Sequence, residues 1–187
     1  SGTAFAPYSK SIHDDSGTIY GMANTVSGFI PLICTLNCAK VTDLFAKIMN
    51  VSIQEFGELA LQGSNKANRP ILIPWIDGER TPNRPKDRAS IHQIDNNLSR
   101  FDLARAAFEG VIFGIVSAIE KFEKFNVPIK RLIVTGGGSN SPAYLQFLAD
   151  VMQMPVHLAE IKDAAATGIA IQAAALVKNQ PVRELVN

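Results

Sequence analysis

Apolar residues recur along this chain at two periods, and the change from one to the other divides it into an early and a late half. Residues 3–8, residues 19–23 and Phe29–Thr35 are short, strand-like runs. Asp14-Asp15-Ser16-Gly17 and Ser27-Gly28 are the polar turns before the second and third. Three strands joined by turns predict an antiparallel meander. The period then lengthens: residues 37–49 carry Val41, Leu44, Phe45 and Ile48 on one helical face, and Ile53–Leu61 predicts a second helix.

Residues 63–70 are loop-like, Ile71–Ile73 is a short buried strand, and residues 75–88 hold too much proline, glycine and charge for a regular element. A long helix is predicted over 101–125, introduced by Ser99 and Asp102 at capping-box spacing. Its face of Ala106, Ala107, Gly110, Gly114 and Ser117 or Ala118 has little bulk, so another element can lie close. After Val127-Pro128 come an apolar strand, three glycines, a helix over 142–153, the strand Val156–Leu158 and a helix over 164–177 capped by Asp163. The late half reads α-β-α-β-α. An α/β fold follows, a mixed sheet with an antiparallel meander and then α-β-α-β-α, which is the pattern of a ribonuclease H-like (actin-like ATPase) lobe.

Composition narrows the function. With 187 residues, 47% of them hydrophobic, the chain can bury a core and form one domain or lobe, residues 1–187. Eighteen basic and seventeen acidic residues nearly cancel, so neither a nucleic-acid surface nor a strongly charged partner is indicated. The longest apolar stretch, residues 103–119, contains Arg105 and Glu109 and reads as a buried helix rather than a membrane span. Cys34 and Cys38 lack the second pair a zinc site needs and read as buried free thiols. His13, His92 and His157 have no metal-ligand spacing, and no catalytic serine elbow is present. No signal peptide is evident, so a reducing cytoplasm fits. The abrupt strand-like opening suggests a fragment.

The chemistry concentrates in Leu132 to Ser141, where a strand empties into Gly136-Gly137-Gly138-Ser139-Asn140 and a helix begins at Ser141-Pro142. Without Cβ atoms, backbone can lie against a ligand, and a helix start offers amides to it. Gly136, Gly138 and Ser141 nearly match the dinucleotide fingerprint, with Glu160 22 residues after Gly138. Against that NAD-binding oxidoreductase reading, the third glycine is Ser, and only 27 residues follow Glu160. Ser1-Gly2-Thr3 can be the stub of a phosphate-binding hairpin. Asp77, Glu79 and Arg80 lie in one irregular segment; Glu79 and Arg80 are expected to hold a loop by charge-assisted hydrogen bonds. Arg105 and Glu109, one helical turn apart, are expected to form an internal clasp with each other or with nearby backbone.

In four segments the chain resembles the C-terminal lobe of the FGGY carbohydrate kinases, and within them the xylulose kinases. Ser1-Gly2 resembles the end of that family's Gly-Thr-Ser-Gly phosphate hairpin. Ile73-Pro-Trp-Ile-Asp77-Gly78-Glu79-Arg80-Thr81-Pro82 is similar to a xylulokinase segment ending Gly-Glu-Arg-Thr-Pro. Asp102 to Glu109 resembles the latter half of the second family signature, and Leu132 to Ser141 its adenosine motif. Gln93 departs from the pattern, which has Gly there.

The resemblance implies that Gly136, Gly137, Gly138, Ser139, Asn140 and Ser141 bind the adenosine of ATP or ADP, while Ser1 and Gly2 approach the phosphates. It further implies Mg2+ as cofactor and a ketopentose such as D-xylulose as acceptor, held mainly by an N-terminal lobe outside this sequence. The general-base Asp is expected upstream, so this chain alone is expected to be inactive. A homodimer is compatible with this reading. The other reading kept open is a non-catalytic actin-like nucleotide-binding module.

Overall fold

One strand organises the first half of the molecule. In the computed structural model, which describes residues 2–161 and 163–185, β3 (Phe29–Thr35) pairs antiparallel with both β1 (Gly2–Phe5) and β2 (Tyr20–Ala23). The order β1-β3-β2 replaces the expected meander order and puts β3 in the centre. The physical reason lies in the connections. Gly28, at φ 75°, lets β2 turn directly into β3, whereas a long polar loop separates β1 from β2. The central place suits β3: Pro31, Ile33 and Thr35 are buried, while β2 is exposed throughout.

The remaining elements are α1 (Ala39–Ile48), α2 (Ile53–Leu61), β4 (Ile71–Ile73), β5 (Ser90–His92), α3 (Arg100–Glu123), β6 (Leu132–Val134), α4 (Pro142–Met152), β7 (Val156–Leu158) and α5 (Ala164–Lys178). Short 3-10 turns occupy Gly137–Asn140 and Val182–Glu184. β6 and β7 pair in parallel, and β4 pairs antiparallel with β5. Antiparallel and parallel ladders are thus both present, as separate small sheets among the described residues.

The hub is α3, against which α1, α2, α4 and β4 all pack. Phe108 on α3 sits between Phe56 and Phe147, with ring centroids 5.7 and 6.0 Å away. The small-residue face expected of this helix admits β4: a Cβ on Gly110 would stand 2.5 Å from the Leu72 carbonyl oxygen. Toward its C-terminus α3 covers the three-stranded sheet, where Ile19, Ile33, Ile115, Ile119 and Phe122 form a second core.

Side-chain caps set the helix starts. Ser52 and Glu55 form a full capping box on α2. On α3 the Ser99 hydroxyl accepts from the Asp102 amide and donates to the Asp102 carboxylate at 2.6 Å. Ser141 caps α4 with Pro142 in the first turn, and Asp163 caps α5. By contrast, α5 is apolar nearly all round, yet only Ala175 on it is buried.

Candidate functional site

The strand β6 delivers the chain into the glycine turn at one end of α4. Gly136 has φ 79°, the left-handed region that glycine enters without penalty, and here a glycine is required. Gly137 and Gly138 adopt ordinary φ, so their bareness has another origin. A Cβ on Gly136 or Gly137 would meet nothing within 4 Å, whereas one on Gly138 would stand 3.4 Å from two ring carbons of Tyr144. The turn is therefore open on its outer side and closed beneath by an aromatic ring.

Hydroxyls hold the turn in shape. The Ser139 hydroxyl donates to the Gly136 carbonyl at 2.7 Å, and the Ser141 hydroxyl accepts from the Tyr144 amide at 3.3 Å. Asn140 is exposed. The first amides of a helical turn have no partner within it, and the positive end of the α4 dipole lies at this place. Open backbone and the positive field at the start of α4 suit a planar, polar ligand with anionic groups.

Gly2 is packed against three side chains. A Cβ on Gly2 would come within 2.7 Å of Ile115 Cδ1, 3.1 Å of Thr35 Oγ1 and 3.3 Å of Cys38 Sγ. Burial, and then Cys38, push the hydroxyl of Tyr144, the ring beneath Gly138, far above the usual phenol range. Burial likewise pushes the Cys38 thiol up, so it stays protonated. Ser1, the other residue expected at the phosphates, lies outside the described residues. Neither Cys38 nor Tyr144 was singled out for this place from the sequence, because helical spacing makes Tyr144 one more core residue.

In the two polar clusters, Glu79 and the Arg105 and Glu109 pair make the hydrogen bonds expected of them. Glu79 is buried and accepts from the amides of Leu36 at 2.6 Å, Asn37 at 3.2 Å, Arg80 at 2.7 Å and Thr81 at 3.4 Å, and from Asn37 Nδ2 at 2.8 Å. Arg80 departs from expectation: its side chain is exposed, and only its main-chain N–H joins the clasp. Asp77 is exposed and pairs with Lys40 at 3.2 Å. Glu109 is gripped from both sides by Arg105 and Arg69, each at 2.8 Å, and Arg105 also donates to the Gly63 carbonyl. Arg69, supplied by a distant loop, is the partner that helical spacing alone does not reveal.

Residues 20–177 match the model of the C-terminal domain of the FGGY family of carbohydrate kinases. The chain belongs to this family. As an FGGY C-terminal domain it is 32% identical to the xylulose kinase of Haemophilus influenzae over 92% of its own length and 35% of that protein. It is 30% identical to the Streptomyces coelicolor xylulose kinase over 96% of itself and 36% of that protein. The chain thus spans about a third of the length of these relatives. The solved xylulose kinase of Bifidobacterium adolescentis superposes with a TM-score of 0.83 at 30% identity, over 96% of this chain and 36% of that one.

The ribonuclease H-like fold expected from the pattern is the fold of this FGGY domain, and the dinucleotide reading of the glycine turn is set aside with it. Gln93, where the family pattern has Gly, takes φ 59°. No helix among the described residues is long and apolar enough to cross a membrane.

Proposed function

We propose that this FGGY domain seats the adenosine of ATP or ADP on Gly136 to Ser141 and directs the phosphates toward Gly2. It would thereby serve as the nucleotide-binding lobe, residues 1–187, of a two-lobe cytoplasmic kinase whose acceptor is a ketopentose, D-xylulose in the first instance. The observation that carries this is the turn itself: Gly136 and Gly137 face open space. The relatives named xylulose kinase support the acceptor. A glycerol kinase solved with ADP shares the fold at a TM-score of 0.78.

The residues present fit a nucleotide. Gly136 and Gly137 leave room for the sugar and base against bare backbone, Asn140 offers an exposed amide side chain, and Ser139 and Ser141 hold the turn by hydrogen bonds. Among the described residues no three His, Cys, Asp or Glu side chains gather to hold a metal. Mg2+ would be carried on the nucleotide phosphates and would neutralise their charge there. The chain's own contribution is positioning: a rigid seat fixes the donor so that an acceptor on the other lobe meets it in line. The general base and the sugar contacts are assigned to that other lobe.

Titration calorimetry on the 187-residue chain tests this reading. ADP should bind, NAD should not protect the fold, and D-xylulose alone should give no binding heat. Absence of any ADP heat would overturn the reading, and so would turnover of ATP and D-xylulose by this chain alone.

A further inference from the structure

The carboxylate of Glu79 lies 43 residues from Leu36 and 42 from Asn37, yet it holds both of their amides. Those two residues occupy a particular place. They are the link between Thr35, the last residue of β3, and Cys38, which precedes α1. Thr35 and Cys38 are two of the three side chains against which Gly2 is packed: Thr35 is the register partner of Gly2, its hydroxyl donates to the Gly2 carbonyl at 3.4 Å, and Cys38 Sγ stands where a Gly2 Cβ would press. Glu79 therefore grips the corner that shapes the floor under Gly2.

Asn37 completes the grip. Its Nδ2 donates to the Gly78 carbonyl at 2.7 Å as well as to Glu79, and its Oδ1 accepts from the Ile76 amide at 3.2 Å. Glu79 meets five donors while only 3% exposed, so its lone pairs are occupied by N–H groups of the chain itself. Such an anion has one strong function, which is to hold N–H groups in place.

We infer that Glu79 is a positioning residue for the phosphate end of the nucleotide: through Leu36 and Asn37 it fixes the corner on which Gly2 rests, leaving the adenosine seat untouched. The inference rests on the proposed nucleotide placement. It separates the two ends of that site. Glu79→Gln keeps the size of the side chain but turns an NH2 toward donors, so the corner loses its grip. The ring of Tyr144 and the turn at Gly136 to Ser141 keep their own contacts.

The test measures ADP and adenosine affinities by competition against a fluorescent ATP analogue, with thermal melting alongside. Glu79→Gln should weaken ADP by about tenfold or more and change adenosine by no more than about twofold. If this variant melts below the assay temperature, Asn37→Ser, which keeps the main-chain donors, should show the same selective loss at about threefold. Equal loss of ADP and adenosine, or no loss of either, overturns the role of Glu79 while leaving the nucleotide reading intact. Failure of the unaltered chain to bind ADP or adenosine overturns both.

Discussion

The ring of Tyr144 lies directly beneath Gly138, with Cδ1 and Cε1 each 3.4 Å from where a Cβ would stand. That contact is tight enough for a branched side chain to displace the ring or lift the turn. Gly138→Val should weaken ADP by about tenfold or more while the far-ultraviolet dichroism stays that of the folded chain; unchanged affinity by calorimetry would contradict the seat. Gly137→Ala is the companion. Nothing of the protein stands within 4 Å of its Cβ, so any loss of ADP affinity without loss of stability reports contact with the nucleotide itself.

Gln93 holds φ 59° in an exposed loop. A left-handed conformation costs a residue with a Cβ about 1 kcal/mol relative to glycine. Gln93→Gly should therefore raise the stability of the chain by about that amount in urea melts. A destabilised variant would show that the Gln93 side chain contributes more than its backbone costs.

Glu109 is buried between two partly exposed guanidinium groups, and its loss leaves both without their carboxylate partner. Glu109→Ala should cost about 3 kcal/mol. Arg69→Ala combined with Glu109→Ala should cost less than the sum of the two single changes, because the second removes a partner already lost. Additive effects would mean that the two residues act independently.

Gly110 is the point of closest approach between α3 and β4. Because the atom opposing its Cβ is the main-chain oxygen of Leu72, no side chain can swing away, and Gly110→Ala should destabilise by about 1–3 kcal/mol. A neutral result in urea melts would show that β4 can yield.

Two capping carboxylates give the chain an acid limit. The Ser99 hydroxyl, and then the Ser64 amide, hold Asp102 below its ordinary value of 3.8, and the Ser52 backbone and hydroxyl hold Glu55 below 4.5. Because folding lowers both values, their stabilisation is complete above the ordinary carboxylate range and is lost as the pH falls through the depressed folded values. The urea midpoint should be flat above about pH 5 and fall below about pH 4. Ser99→Ala should cost about 1 kcal/mol near neutrality and less in acid; an equal cost at both would contradict a charge-assisted cap.

Much of the secondary structure was legible because its signals are local. The bounds of β3, α2, β4 and β7 coincide with the expected ones, since each is framed by turn or capping residues adjacent in sequence. Ser141, Pro142 and Asp163 mark helix starts by chemistry that acts over three residues. β5 was missed: it is three residues long, two of them polar and exposed, and only pairing with β4 makes it a strand. The three-stranded order was also misjudged, because which neighbour a strand selects depends on loop lengths and on burial of the whole sheet.

The sequence by itself determined the α/β class, the glycine turn with its following helix, and the Arg105 and Glu109 clasp, all from contacts made within a few residues of chain. Only the tertiary structure decided that Tyr144 supports Gly138, that Cys38 packs against Gly2, that Arg69 joins Glu109, and that Glu79 grips Leu36 and Asn37. Apart from Tyr144 and Gly138, those partners lie tens of residues apart, and no periodicity records them. Their approach is set by how α3 gathers the surrounding helices and β4 into one core, and geometry at that distance is a property of the packed whole.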